Sequence, residues 1–149
     1  MFGILSKIFG NKKDKDIREI QPYVEKINQE FDRLKIISHD ELRNRSSALK
    51  QKIADFVKPE ESKIEELRNK ANLTDTPIHE KERLFEEIEK IEKVIDEKLE
   101  IILLEILPEA FAIVKDTARR FKENTEISVS ATEIDKELST KKDYVSIKG

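Results

Sequence analysis

The sequence predicts a mainly α protein: antiparallel helices around a long helical hairpin, with room for a short two-stranded β element near the C-terminus. Three observations lead there. Charged residues make up 41% of the 149 residues and hydrophobic ones only 37%, which suits helices with solvated outer faces over a thin core. Glycine occurs only at Gly3, Gly10 and Gly149, so the tight turns of a β fold lack their usual residue. Apolar residues recur at spacings of three and four through most of the chain, the period of a helix face.

Residues 1–10 place Phe2, Leu5 and Phe9 on one helical face with Ile4 and Ile8 beside it, and Gly10 as the stop. The segment is too short to span a bilayer. Followed by Lys12, Lys13 and Lys15, it has the pattern of an interfacial anchor on anionic lipid. Packing on a neighbouring subunit or domain fits the pattern equally well. A second helix is expected from about Lys13 to Lys35, on a seam of Ile17, Ile20, Val24, Ile27, Phe31 and Leu34. Pro22 should kink it or open a new first turn.

The third helix has a clear start: Ser38 caps, Glu41 completes a capping box, and Ile37 can staple to Leu42. It continues through Leu49, Ile53 and Phe56, and Pro59 should enforce a restart. From Pro59 to Glu105 the pattern is a helical hairpin. Its first arm carries Ile64, Leu67 and Ala71, and its second Leu84, Ile88, Ile91, Ile95 and Ile102, with Lys98 at the missing seam position. In the turn, Thr76 is the expected cap and Pro77 the first helical residue. Two narrow apolar stripes of this kind pack antiparallel, as in a short coiled coil.

The window Leu99–Val114 is apolar nearly all round and should be buried. Pro108 is expected to open a further helix running to Phe121, whose apolar surface exceeds what the thin local core needs. It should pack on the hairpin or on a domain outside this chain. After Asn124, Glu126–Ser130 and Tyr144–Ile147 alternate like short strands, with one or two helical turns between Ala131 and Leu138.

Composition also bounds the chemistry. Without cysteine there are no disulfides, thiolate metal sites or cysteine nucleophiles. No Gly-x-Gly or Gly-Lys-Thr run exists to cradle phosphate. His39 and His79 fall in the first turns of different helices, too few and too separate for a metal centre. Glu60-Glu61 and Glu86-Glu87 read as solvated surface. No catalytic, cofactor-binding or metal-ligating residue is assigned, and by its own residues the chain is not expected to be an enzyme. Residues 1–18 carry five basic and two acidic side chains, whereas 58–100 carry nine basic and fourteen acidic. An acidic body with a basic, apolar N-terminus is not the pattern of a nucleic-acid binder.

Three stretches, in order, resemble the N-terminal end of the SecA family of preprotein translocase ATPases. They are Leu5-Ser6-Lys7-Ile8-Phe9-Gly10 with its basic continuation; Ile27-Asn28 with Ser38-His39-Asp40-Glu41-Leu42-Arg43; and, most specific, Leu107-Pro108-Glu109-Ala110-Phe111-Ala112-Ile113-Val114-Lys115-Asp116-Thr117-Ala118-Arg119-Arg120. They cover about 1–56 and 105–121. The inserted hairpin and the added segment 122–149 depart from most of the family and resemble its Bacteroidetes-type branch. The family's adenine-contacting His-Phe-Asp-Val-Gln motif and its Gly-Lys-Thr loop are absent, so the chain is read as the N-terminal piece of a longer protein.

The resemblance implies four parts: an amphipathic segment and scaffold helices (1–56), the inserted hairpin (57–104), a helix that packs on the first nucleotide-binding domain (105–122), and an extra segment leading toward the ATPase motifs (123–149). It implies that Phe2, Leu5, Lys7, Ile8, Phe9, Lys12, Lys13 and Lys15 contact acidic phospholipid and the SecYEG channel. ATP and Mg would belong to the parent motor, which moves preproteins, and no cofactor to this chain. The expected location is the cytoplasm and the cytoplasmic face of the inner membrane, with self-association of the fragment through its uncovered apolar helix. The alternative, from the residues alone, is a free-standing coiled-coil adaptor that binds a partner protein through the hairpin.

Overall fold

The computed structural model describes residues 12–148. The helices among them are α1 (Lys12–Leu34), α2 (His39–Ala71), α3 (Ile78–Glu123) and α4 (Glu133–Lys141). With 46 residues, α3 is about 70 Å long at 1.5 Å per residue and forms the spine. The helix α2 folds back antiparallel along it, and α1 lies along its C-terminal half, parallel to it. Two apolar clusters result. The base holds Leu34, Leu42, Ala112 and Ile113, with Ile27, Phe31, Ile37 and Leu49 packed around them. The arm, the distal part of the α2–α3 hairpin, holds Ile64, Leu67, Ile88 and Ile91 with Leu84 and Ile95.

The capping box at Ser38 forms as expected: its hydroxyl accepts from the Glu41 N–H (3.2 Å) and its own N–H donates to the Glu41 carboxylate (2.8 Å). Ile37 and Leu42 join the same cluster. Two of the prolines behave differently from expectation. Pro59 does not restart α2 and Pro108 does not open a new helix; each lies inside a continuous one, as does Pro22 in α1. An internal proline costs roughly 3 kcal/mol. Buried seam residues flank both, Val57 and Ile64 around Pro59, Ile106 and Ala112 around Pro108. A buried aliphatic side chain contributes about 1.5–3 kcal/mol, so packing on both sides offsets the lost ladder bond.

Thr76 does not cap α3. Its hydroxyl donates to the Lys70 carbonyl at 2.7 Å, closing the end of α2, and Pro77 is the residue before the helix rather than the first within it. The expected β pairing is also not formed among the described residues. Side chains of α2 occupy groups that a partner strand would use: the Ser130 N–H donates to Asp40 (2.9 Å), and the Ser130 carbonyl accepts from Arg43 (3.0 Å). The Val145 N–H bonds the Lys142 carbonyl in a turn (2.9 Å).

Candidate docking surface

The seam of α3 carries two charges where an apolar residue belongs. Asp116 is fully buried and Arg120 is 5% exposed, on the same face as Ile106 and Ile113. Arg120 Nε donates to Asp116 Oδ2 at 2.7 Å, and Arg119 Nε donates to Oδ1 at 2.8 Å. Arg120 Nη2 reaches across to the Leu34 carbonyl (3.0 Å), at the end of α1, and to the Ile37 carbonyl (2.8 Å). Terminal helix carbonyls have no partner within their own helix, and Arg120 supplies one. Its Nη1 lies 2.8 Å from His39 Nδ1. Arginine only donates, so Nδ1 accepts. One guanidinium thus latches α3 to the α1–α2 turn. His39 is half-buried in this latch.

A second set of contacts fixes the chain after α3. The carboxylate of Asp40 accepts from the Ser130 N–H and from its hydroxyl (2.7 Å), and Arg43 Nη2 donates to Asp135 Oδ2 at 2.7 Å. Thr132 and Asp135 form the capping box of α4. Hydrogen bonds from Arg43, then from the Thr132 N–H and hydroxyl, pull the Asp135 carboxyl down to about 2. The Ser130 hydroxyl and N–H hold Asp40 below its ordinary value. Ile127 and Val129, alternate residues of the extended segment, line a groove of about 450 Å³ with Leu42 and Ile113.

The face of α3 opposite this network is open. Leu104, Phe111, Val114 and Phe121 are 55, 59, 68 and 69% exposed. With Leu107 and Ala118 they repeat at spacings of three and four, so they form one stripe along the helix. The window Leu99–Val114 is therefore buried on one face only, contrary to expectation. The helix α1 adds Ile17, Ile20 and Val24, exposed at 50, 57 and 39%, in the half of its seam that precedes the base cluster.

Of the residues expected to touch lipid and channel, Phe2, Leu5, Lys7, Ile8 and Phe9 lie outside the described residues. Lys12 and Lys13 fall in the first turn of α1, and Lys15 is exposed, 3.9 Å from Glu19. Among the described residues no helix is long and apolar enough to cross a membrane, and no group of His, Asp and Glu is placed to hold a metal ion.

Sequence reasoning passed over Asp116, Arg120 and His39 as a unit. The available signal was an Asp and an Arg four apart, both on seam positions of an otherwise apolar helix face.

A latched three-helix base, an arm, and one apolar side left open define a helical scaffold. Its sequence carries a family signature: the model described as SecA DEAD-like domain matches residues 5–132. The chain belongs to the SecA family. It is 45% identical over 145 residues to the protein translocase subunit SecA of Porphyromonas gingivalis strain W83, covering 97% of this chain and 13% of that protein. The SecA of Parabacteroides distasonis is 44% identical over 143 residues (96% and 12%), and that of Cytophaga hutchinsonii 43% over 150 (100% and 13%). The chain thus spans about an eighth of the length of these curated relatives. No solved structure matches.

Proposed function

We propose that the chain is the N-terminal docking and scaffolding part of a SecA translocation motor, without an ATP site of its own. The observation that carries this reading is the open stripe Leu104–Leu107–Phe111–Val114–Ala118–Phe121 on the back of a helix whose other face is latched to α1 and α2. A stripe of this length exceeds the isolated apolar residues normal on a surface. The natural cover is the remainder of the DEAD-like domain, which binds ATP and Mg in the parent. On this reading 105–122 is the helix that packs on the motor's first nucleotide-binding domain, 1–56 supplies the amphipathic segment and the scaffold helices, 57–104 stands apart as an inserted arm, and 123–149 leads toward the ATPase motifs.

The N-terminal residues Phe2, Leu5, Lys7, Ile8, Phe9, Lys12, Lys13 and Lys15 bind acidic phospholipid at the cytoplasmic face of the inner membrane and dock on SecYEG. Five basic against two acidic side chains within 1–18 supply the attraction, at roughly 1 kcal/mol per basic residue near an anionic surface. Preprotein is then a substrate of the complete motor.

Both halves of the reading are open to measurement. Vesicles containing phosphatidylglycerol should bind the chain, and charge reversal to Glu at Lys12, Lys13 and Lys15 should abolish it; no binding, or no change on reversal, removes the membrane role. Separately, light scattering should show self-association of the isolated chain through the uncovered stripe, reversed by Phe111→Glu with Val114→Glu. A clean monomer at high concentration would count against the stripe as a docking face.

A further inference from the structure

Beyond the Asp116–Arg120 latch, a further charged residue interrupts the seam between α2 and α3. Lys98 stands between Ile95 and Ile102, where the spacing calls for another aliphatic residue. Its Nζ meets Glu60 Oε2 at 2.6 Å, with both side chains little more than a fifth exposed, and lies 4.8 Å from the centre of the Phe56 ring. The contact with Lys98 also holds the Glu60 carboxyl below its ordinary value. Pro59 immediately precedes Glu60. Lacking an N–H, it leaves the Asp55 carbonyl without its ladder partner. A polar layer in the seam and a gap in the backbone ladder therefore fall at one level, between the base cluster and the arm cluster.

The two features act together. Interdigitated aliphatic side chains fix an interhelical angle, because close packing is lost when they part. An ion pair on a long Lys stem tolerates separation, since water can bridge its two ends. Bending a helix pair also requires the helices to change length differently, and the missing bond gives α2 that freedom. The helix α3 has no proline at this level; Pro108 lies further toward the base. A bend at this level would therefore flex α3 as an elastic rod and open or close α2 at Pro59.

We infer that the level of Pro59, Glu60 and Lys98 is a hinge on which the arm, residues 60–97, swings relative to the base. The arm can swing without breaking because its own cluster of Ile64, Leu67, Ile88 and Ile91 lies wholly beyond the hinge. The inference does not depend on what the scaffold docks to.

Residual dipolar couplings of backbone amides in the 149-residue chain test it, by comparing the degree of alignment of arm and base. A swinging arm shows lower order than the base. Glu60→Leu with Lys98→Leu, which fills the layer with apolar contacts, and Pro59→Ala, which restores the ladder bond, should each bring the two values closer, and together should make them equal. Equal order in the unmodified chain, or unequal order that neither change moves, would overturn the hinge. Pro59→Ala alters only an exposed helical position, so it keeps the test decisive if the layer substitution repacks.

Discussion

Base and arm are built on the same two helices and are held by different means. In the arm, α2 and α3 share a narrow seam, and charges line its rim: Lys63 with Glu87 at 2.8 Å and Arg68 with Glu92 at 3.0 Å. In the base, three helices converge and two charges go inside, Asp116 and Arg120. Most of the charge that dominates the composition lies on exposed surfaces, where an ion pair contributes about 0–1 kcal/mol. The few buried charges have larger consequences, because an ion taken out of water tolerates no missing partner. Charge density is thus a poor guide to which charges matter; position relative to the seam is a good one.

The sharpest way to break this contrast is Arg120→Ala. It leaves a fully buried Asp116 with Arg119 as its remaining charged partner and removes the guanidinium donor to the Leu34 and Ile37 carbonyls. Breaking one side of a buried pair costs about 3–5 kcal/mol, a large share of an ordinary domain's stability. Hydrogen exchange should show α1 and the base end of α3 losing protection while 64–95 keeps it. Loss of protection everywhere at once would mean that base and arm are one cooperative unit. Asp116→Leu with Arg120→Met should recover only part of the loss, since it restores apolar packing and leaves the two carbonyls without Arg120.

Next in size is Ile88→Ala, in the arm. Ile88 is 4% exposed within the arm cluster, and truncating a buried aliphatic residue to Ala costs about 2–5 kcal/mol. Exchange should rise in the arm and leave the latch protected. The two substitutions together form a reciprocal pair, each expected to spare the other region.

Much of this fold was legible in the residues. The second half of the α1 seam (Ile27, Phe31 and Leu34), the capping box at Ser38, and the hairpin from Ile64 to Ile95 follow from local pattern, and the structure keeps them, while Ile17, Ile20 and Val24 of the same expected seam stay exposed. The misreadings share one cause: local rules applied where tertiary packing decides. Pro59 and Pro108 read as helix breaks because a proline's cost is local, while the offsetting burial of Val57, Ile64, Ile106 and Ala112 is not. Ser130 read as part of a strand, because nothing nearby in sequence announces that Asp40 and Arg43, some 90 positions away, would take its backbone groups. The open stripe on α3 was half visible. An excess of apolar surface could be counted, but only the fold shows which face is latched and which is left open.

The clamp on the tail is a smaller effect and is set by pH. The carboxyls of Asp40 and Asp135 titrate lower when clamped than their ordinary 3.8, Asp135 at about 2. A depressed carboxyl stabilises fully above its unfolded value and loses that contribution as pH falls through the folded one. The clamp should therefore hold from neutral pH down to about 4 and release as pH drops toward 2. Amide resonances of 126–131 report this directly, and Asp40→Ala should release the same residues at neutral pH. A segment that stays ordered in that variant would transfer the main role to the apolar contacts of Ile127 and Val129.

Arg68→Ala tests the other end of the scale. Its partner is Glu92, and both side chains are about half exposed, at 57 and 49%. Ordering two long side chains in water offsets most of their attraction, so the expected loss is at most about 1 kcal/mol and should shrink further in salt. Placed beside Arg120→Ala, this is a matched comparison: two arginines, each paired with a carboxylate at hydrogen-bond distance, one on the rim of the arm and one in the seam of the base. If chemical denaturation showed similar losses for both, burial would not be what separates the two regions. A several-fold larger loss at Arg120 makes it the variable that does.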